Sequence, residues 1–214
     1  EALASAYPKK ELPEAIHPSL DATDFSKTKF VHRKFAQSAI NIGHLGTTRD
    51  NHDKYALTIL NDILGGSGGF TNRLKSSVRV KAGLAYQVFS SYSLGPKGVP
   101  GIFQIHAKTR PENVDKAIEM IKGEIEKLVE KGVTRDEFKK AKEGILNQLV
   151  FSYARPIGIV SELASFAYYG YPENYSEIYK KELENVSLSD VNEAAKKYLH
   201  PDKIVIVASG NSEA

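Results

Sequence analysis

The hydrophobic period of this 214-residue chain changes several times, and the order of those changes constrains the fold more than any single motif does. Two-residue alternation and short apolar runs predict five strands, over residues 30–35, 39–45, 84–94, 101–108 and 203–208. Helical spacing predicts six helices: one from Asp50 to Leu64, a short one over 71–81, and four between residues 109 and 199. Adjacent strand pairs separated by helical blocks favour an α+β two-layer sandwich, with a mainly antiparallel sheet and helices packed on one face.

Four of these helices carry start signals. Thr109-Arg110-Pro111-Glu112 and Thr134-Arg135-Asp136-Glu137 each place a glutamate three residues after a threonine, which predicts capping boxes. Ser187 is expected to cap the last helix, and Pro156 is expected to begin the helix before it.

The first residues differ in composition from the rest. Three prolines and alternating charges fall within residues 1–24 without a sustained period, which is typical of a linker. We therefore predict a linker or N-terminal extension over residues 1–27 and a single domain over residues 28–214. The chain begins at Glu1 and its only methionine is Met120, so we expect a processed product or an excised piece of a longer protein.

Composition excludes several classes of function. The 29 basic residues nearly balance the 26 acidic ones, whereas a nucleic-acid-binding protein normally carries a clustered basic excess. No apolar run reaches the length of a membrane span. The absence of cysteine rules out disulfides, thiolate zinc sites and cysteine nucleophiles together.

Two motifs suggest enzymes but lack their context. Gly65-Gly66-Ser67-Gly68-Gly69 matches the G-x-S-x-G of serine hydrolases, but that motif requires a strand-to-helix turn, and here it follows a predicted helix; a flexible loop is favoured. Among the six histidines there is no H-E-x-x-H or H-x-x-E-H zinc motif. His44 and His52 flank a predicted strand-to-helix turn, where a metal is conceivable, but surface or half-buried histidines are the favoured interpretation.

An aromatic group near residue 170 has two interpretations. It could offer a stacking platform to a ligand, but residues one helical turn apart favour packing in the core or an interface. The group comprises Phe166, Tyr168, Tyr169, Tyr171, Tyr175 and Tyr179.

Arg79 and Tyr86 form one further candidate site. The arginine ends the predicted short helix, the tyrosine opens the next strand, and Gly83 between them permits a chain reversal. Strand alternation is expected to put Leu84, Tyr86 and Val88 on one face. A guanidinium beside a phenol suits a carbonyl or an oxyanion, although spacing alone equally allows an ordinary structural pair.

Several short motifs occur in order along the chain. They are Gln37-Ser38-Ala39-Ile40-Asn41-Ile42-Gly43, Leu64-Gly65-Gly66-Ser67, Asn72-Arg73-Leu74, Val78-Arg79, Gly83-Leu84-Ala85-Tyr86 and Gly132-Val133-Thr134-Arg135-Asp136-Glu137-Phe138. Together they resemble the second, non-catalytic half of the insulinase/pitrilysin-type zinc metallopeptidases, also called inverzincins. The resemblance extends over about residues 28–209.

The resemblance implies a function. In that family two similar halves close like a clamshell over an unfolded peptide, and one half binds zinc through H-x-x-E-H and a distal glutamate. The other half contributes an arginine and a tyrosine, seven residues apart, that bind the substrate backbone at the scissile bond and help to stabilise the tetrahedral intermediate. Arg79 and Tyr86 match that pair in residue type and spacing, so the resemblance implies substrate-binding and transition-state roles for them.

The missing zinc motif limits what this chain does alone. The resemblance implies no metal ligand in this chain, no independent peptidase activity, and zinc in a catalytic half that lies upstream in the same polypeptide or in a separate subunit. The alternative is a structural subunit similar to the core proteins of the mitochondrial respiratory complex; the Arg/Tyr pair favours the peptidase role. The compartment stays open: a soluble chain, periplasmic or cytoplasmic if bacterial, organellar if eukaryotic.

Overall fold

Five strands form the sheet of the protein. The computed structural model describes residues 27–66, 71–96, 98–152 and 156–211. The strands are β1 (Thr28–His32), β2 (Ser38–Leu45), β3 (Ala85–Ser93), β4 (Ile102–Thr109) and β5 (Val205–Gly210).

The helices fall mostly between β4 and β5. The α-helices are α1 (Lys54–Leu64), α2 (Val114–Lys131), α3 (Arg135–Ser152), α4 (Pro156–Tyr169), α5 (Tyr175–Asn185) and α6 (Leu188–Tyr198). A π-helix spans Lys75–Lys81, and a 3₁₀ turn, Pro111–Asn113, precedes α2.

The sheet has the strand order β1-β5-β2-β4-β3. β2 pairs antiparallel with β4 and β5, and β3 pairs antiparallel with β4. The exception is β1, which runs parallel to β5. This mainly antiparallel sheet confirms the predicted α+β class.

Among the described residues, helices cover one face of the sheet and leave the other face open. Ile40 and Ile42 of β2 point into the core and are about 1% exposed, whereas Asn41 between them is exposed. Asn41 pairs with His106, which pairs in turn with Phe89, so these residues lie in one row on the open face. The polar alternation of β2 therefore separates a helix-packed face from an accessible one.

Two helix predictions need correction. α1 begins at Lys54 rather than Asp50, because the side-chain oxygen of Asn51 accepts a hydrogen bond from the Asp53 backbone nitrogen and holds the preceding residues in a turn. The sequence also predicts four helices after β4, whereas the described residues form five. The additional helix is α5, whose sequence YSEIYKKELEN buries only Leu183 among its described residues and so carries a weak apolar stripe.

Of the two predicted capping boxes, the one at Thr134 is confirmed and the one at Thr109 is wrong; the predicted cap at Ser187 is confirmed as well. Thr134 and Glu137 exchange side-chain and backbone hydrogen bonds, and so do Ser187 and Asp190. Thr109 does not cap a helix, because its hydroxyl donates to the Leu84 carbonyl oxygen and the following residues form only a 3₁₀ turn.

Some sequence predictions fall beyond the described residues. Residues 1–26 are among them, so the division into a linker over residues 1–27 and a domain over residues 28–214 stays a prediction. Ser67 of the G-x-S-x-G match also lies outside; the motif follows α1, as expected from the sequence. Among the described helices, none is long and apolar enough to cross a membrane.

Candidate functional site

Arg79 lies on the π-helix. The Ala82 backbone nitrogen donates to the Ser77 carbonyl at 3.1 Å, a five-residue spacing that widens the helical turn. Val78 anchors this helix in the core with no exposed surface, whereas the neighbouring Arg79 is exposed. Within the described residues the side chain of Arg79 makes no hydrogen bond or ion pair. Short π-helical segments are rare and occur often at functional sites, and this one presents an uncommitted guanidinium.

A tight turn joins the π-helix to β3. Gly83 has a φ of +63°, which a residue with a side chain rarely adopts, and an added Cβ would meet no other atom there. The Leu84 backbone nitrogen donates to the Val78 carbonyl at 2.9 Å. The predicted chain reversal at Gly83 is therefore confirmed, and it ties the end of the π-helix to the start of the strand.

Tyr86 lies at a β-bulge. Ala85 pairs with Thr109 and Gln87 with Lys108, so two steps along β3 match one step along β4 and Tyr86 is the extra residue. Bulges bend a strand and redirect a side chain, and they are common beside active sites. The expectation that Tyr86 shares a face with Val88 is wrong: Val88 is 2% exposed, whereas Tyr86 is 48% exposed.

The hydroxyl of Tyr86 accepts a hydrogen bond from Arg110. The distance from the Arg110 Nε to the Tyr86 oxygen is 2.8 Å. Sequence alone does not single out Arg110, because it is 24 residues from Tyr86 and meets it only through the pairing of β3 with β4. Tyr86 and Arg110 thus stand at one end of the β3–β4 pair, next to the turn that leads from the π-helix of Arg79 into β3.

The motif residues before the π-helix support it. Leu74 is fully buried, and the side chain of Asn72 bridges the Gly66 carbonyl, at 3.0 Å, and the Lys75 backbone nitrogen, at 2.9 Å. At Gly65 an added Cβ would lie 2.8 Å from the backbone nitrogen of Ser90, so β3 leaves no room for a side chain. These residues fix the segment that carries Arg79.

Arg73 connects this segment to α3. It binds Glu137 through two parallel contacts, Nε to Oε1 at 2.7 Å and a terminal nitrogen to Oε2 at 2.9 Å, and it also donates to the Gly132 carbonyl. Burial alone would raise the pKa of Glu137, but hydrogen bonds from Arg73 and Thr134 outweigh it and hold the pKa at about 2. The carboxylate is therefore ionised in the folded protein near neutral pH.

His44 is part of the packing, and both of its ring nitrogens face backbone atoms. Its Nδ1 bonds to the Leu45 carbonyl at 2.8 Å, and its Nε2 faces the His200 backbone nitrogen at 3.4 Å. Burial lowers the pKa of His44, which keeps the ring neutral. His52 is exposed, and the described residues contain no group of three potential metal ligands.

The aromatic group packs mainly against itself. Tyr171 and Tyr175 stack with ring centres 4.0 Å apart, and Phe166 meets Tyr175 edge-on at 5.4 Å. The guanidinium of Arg49 covers the Tyr169 ring at 3.6 Å. These contacts agree with the packing interpretation for the rings of Phe166, Tyr171 and Tyr175, whereas Tyr168 is 82% exposed.

A family model matches more than half of this chain. Residues 1–145 match the family model described as the peptidase M16 inactive domain. The chain belongs to this family. The insulinase/pitrilysin resemblance inferred from sequence is thereby confirmed, because that type of metallopeptidase is the M16 group.

Individual relatives agree with the M16 assignment. An uncharacterized zinc protease of Streptomyces coelicolor is 34% identical over 115 residues, which make up 54% of this chain and 24% of that protein. A Helicobacter pylori protein named a non-peptidase homolog is 23% identical over 199 residues, 92% of this chain and 45% of that protein. The crystal structure of a peptidase M16 inactive domain from Pseudomonas fluorescens has a TM-score of 0.77 and 30% identity, covering 86% of this chain and 43% of that one.

This M16 inactive domain is shorter than those relatives. It spans between about a quarter and a half of their length. The family match makes it an inactive domain of the kind found in zinc-protease-like proteins.

Proposed function

We propose that this chain is the substrate-binding, non-catalytic half of a zinc-dependent metallopeptidase and that Arg79 and Tyr86 contact the scissile peptide. The observation that carries the proposal is the local backbone at the two residues. A π-helix exposes one, a β-bulge exposes the other, and a tight turn links them. Such irregularities are sites where side chains are redirected towards a ligand.

The chemistry of the pair fits peptide hydrolysis. Attack of water on a peptide carbonyl leaves negative charge on the carbonyl oxygen, and donors placed in advance lower the barrier. The Arg79 guanidinium offers a fixed positive charge, and the Tyr86 hydroxyl offers a proton for a hydrogen bond. Zinc in the catalytic half would supply the activated water. This chain alone is then expected to cleave no peptide.

The open face of the sheet supports the idea of a chamber that a second half closes. A shallow recess of about 320 Å³ lies on this face, lined in part by Asn41, Gln87, Phe89, His106 and Lys108. The amide, imidazole and ammonium side chains on this surface can hydrogen-bond to the backbone of an extended, unfolded peptide. We propose that this face lines the peptide chamber.

Reconstitution tests the proposal. The zinc-bearing half is assayed on unfolded peptides alone and together with this chain, and this chain is assayed alone. We expect cleavage only when both halves are present. Full activity of the zinc-bearing half without this chain would contradict the complementing role.

Two conservative variants then test the pair in the two-half protein. Tyr86→Phe removes only the hydroxyl, and loss of one oxyanion donor lowers kcat by on the order of 100- to 1,000-fold. Arg79→Lys keeps the charge but loses the planar fork, and should also slow turnover. Tyr168→Phe and Arg135→Lys, at exposed tyrosine and arginine positions, are the matched controls.

A structural role is the second candidate function. The observation that favours it is the Helicobacter pylori relative that is named a non-peptidase homolog and aligns with 92% of this chain. If this candidate is correct, Tyr86→Phe and Arg79→Lys leave the behaviour of the assembled protein unchanged, and loss of the whole chain disrupts an assembly.

A further inference from the structure

Arg110 is held beside Tyr86 by features of the backbone. It directly follows β4, and Pro111 after it restricts its backbone to extended conformations; the observed φ and ψ are −74° and 149°. The preceding residue, Thr109, is fully buried, pairs with Ala85 and bonds to the carbonyl of Leu84. The stem of Arg110 is therefore fixed against the bulge that carries Tyr86.

The contact with Arg110 determines which hydrogen bond the Tyr86 hydroxyl can still make. A phenol oxygen both accepts and donates hydrogen bonds. The guanidinium of Arg110 has no acceptor, so in the 2.8 Å contact between them it must be the donor and Tyr86 the acceptor. The proton of the hydroxyl stays available, and donation from a hydroxyl that itself accepts from a charged group is strengthened.

We infer that Arg110 is a positioning residue that orients the Tyr86 hydroxyl so that its proton points at the substrate carbonyl. This inference rests on the proposed function and extends it by one residue. Arg110 contacts the tyrosine rather than the reacting atoms, so it acts through Tyr86. Tyr86 is 48% exposed, so packing constrains its hydroxyl only in part, and the charged donor of Arg110 adds the constraint that is missing.

A purely structural role for Arg110 predicts a different result. Arg110 and Tyr86 are both exposed, and exposed polar contacts contribute little to the stability of a fold. Removing the Arg110 side chain should therefore leave the melting temperature unchanged. A loss of turnover at constant melting temperature separates positioning from folding.

The kinetic test is a double-mutant cycle in the complete two-half protein. We expect Arg110→Gln to lower kcat by roughly tenfold, less than the 100- to 1,000-fold loss typical of the donor itself, with KM unchanged. In the Tyr86→Phe background Arg110→Gln should have no further effect, because the hydroxyl it orients is gone. Arg110→Lys, which keeps a charged donor, should recover part of kcat, and Arg135→Gln is the matched control.

The outcomes distinguish this inference from the proposed function. Wild-type kcat in Arg110→Gln beside an impaired Tyr86→Phe would overturn the inference and leave the proposed function standing. Equal losses in both backgrounds would also overturn it, since Arg110 would then act independently of Tyr86. Wild-type kcat in Tyr86→Phe would overturn the proposed function, and the inference with it.

A spectroscopic measurement tests the contact without any activity. In the full 214-residue chain labelled with ¹⁵N-arginine, the Nε–H signal of Arg110 is recorded with and without Tyr86→Phe. We expect that signal to shift and to exchange faster with water in the variant, while the signal of Arg135 stays in place. An Arg110 signal that does not respond would overturn the inference.

Discussion

Arg73 and Arg110 each donate through Nε to an oxygen of a distant residue, but in very different surroundings. Arg73 holds Glu137 at 2.7 Å, and the two side chains are only 15% and 31% exposed. Arg110 holds the hydroxyl of Tyr86 at 2.8 Å, and both of these residues are exposed. The same type of donor thus makes a contact inside the fold and a contact at its surface.

The two contacts differ in what they hold together. The half-buried contact joins the segment before the π-helix to α3, and it satisfies two atoms of a carboxylate and a backbone carbonyl at once. The exposed contact adds no new connection between elements, because β3 and β4 are already paired beside it. We therefore expect Arg73 to govern unfolding and the exposed site with Arg79, Tyr86 and Arg110 to govern turnover.

The largest expected effect is at the exposed site. Arg79→Ala in the two-half protein should lower kcat by on the order of 100-fold or more, because it removes charge and donors from the developing oxyanion. The melting temperature should stay within a degree or two, since Arg79 has no partner among the described residues. Steady-state kinetics and thermal melts measure both. A large drop in melting temperature with little change in kcat would contradict the expectation that Arg79 governs turnover and not unfolding.

Removing the half-buried arginine should do the opposite. Arg73→Met is expected to lower the free energy of unfolding by about 1.5–3 kcal/mol, because charged hydrogen bonds to Glu137 and Gly132 are lost. The control is Lys139→Met, which breaks an exposed 4.0 Å pair with Glu143 and should change stability by less than about 0.5 kcal/mol. Urea unfolding compares the two. Equal effects would show that burial does not distinguish these pairs.

Acid should weaken the Arg73–Glu137 contact. The pKa of Glu137 in the folded protein, about 2, is below its ordinary value, so the unfolded chain takes up the proton first as pH falls. The stability that this contact supplies is complete above about pH 4.5 and is lost towards about pH 2. Urea unfolding at several pH values should show a shallower acid loss in Glu137→Gln. An unchanged slope would contradict the role of the pair.

The smallest expected effect concerns His44, a buried group outside both contacts. Burial lowers its pKa in the folded state, so the unfolded chain binds a proton more readily. The contribution of a neutral His44 to stability is present above about pH 6.5 and declines as pH falls through that value. His44→Gln should remove this modest slope in urea unfolding between pH 7 and pH 5. A slope that survives the substitution would have to come from another group.

Regular periodicity made much of this fold predictable, and irregular backbone limited the rest. The alternation of β2 placed Ile40 and Ile42 correctly, because one helix-packed face requires it. The bulge at Tyr86 was not predictable, since one extra residue shifts the strand phase without any change in composition. The role of Arg110 could not be predicted from the sequence for a related reason: its contact with Tyr86 depends on strand register between residues far apart in sequence.

The central claim is that Arg79 and Tyr86 touch the scissile peptide. The direct measurement is a crystal structure of the complete two-half protein, with the zinc-bearing half inactivated and an uncleaved peptide bound. We expect the Tyr86 hydroxyl and the Arg79 guanidinium to lie within about 2.7–3.1 Å of the position that the oxyanion occupies. A peptide bound at the zinc of the other half with both side chains pointing away from its backbone would contradict the account.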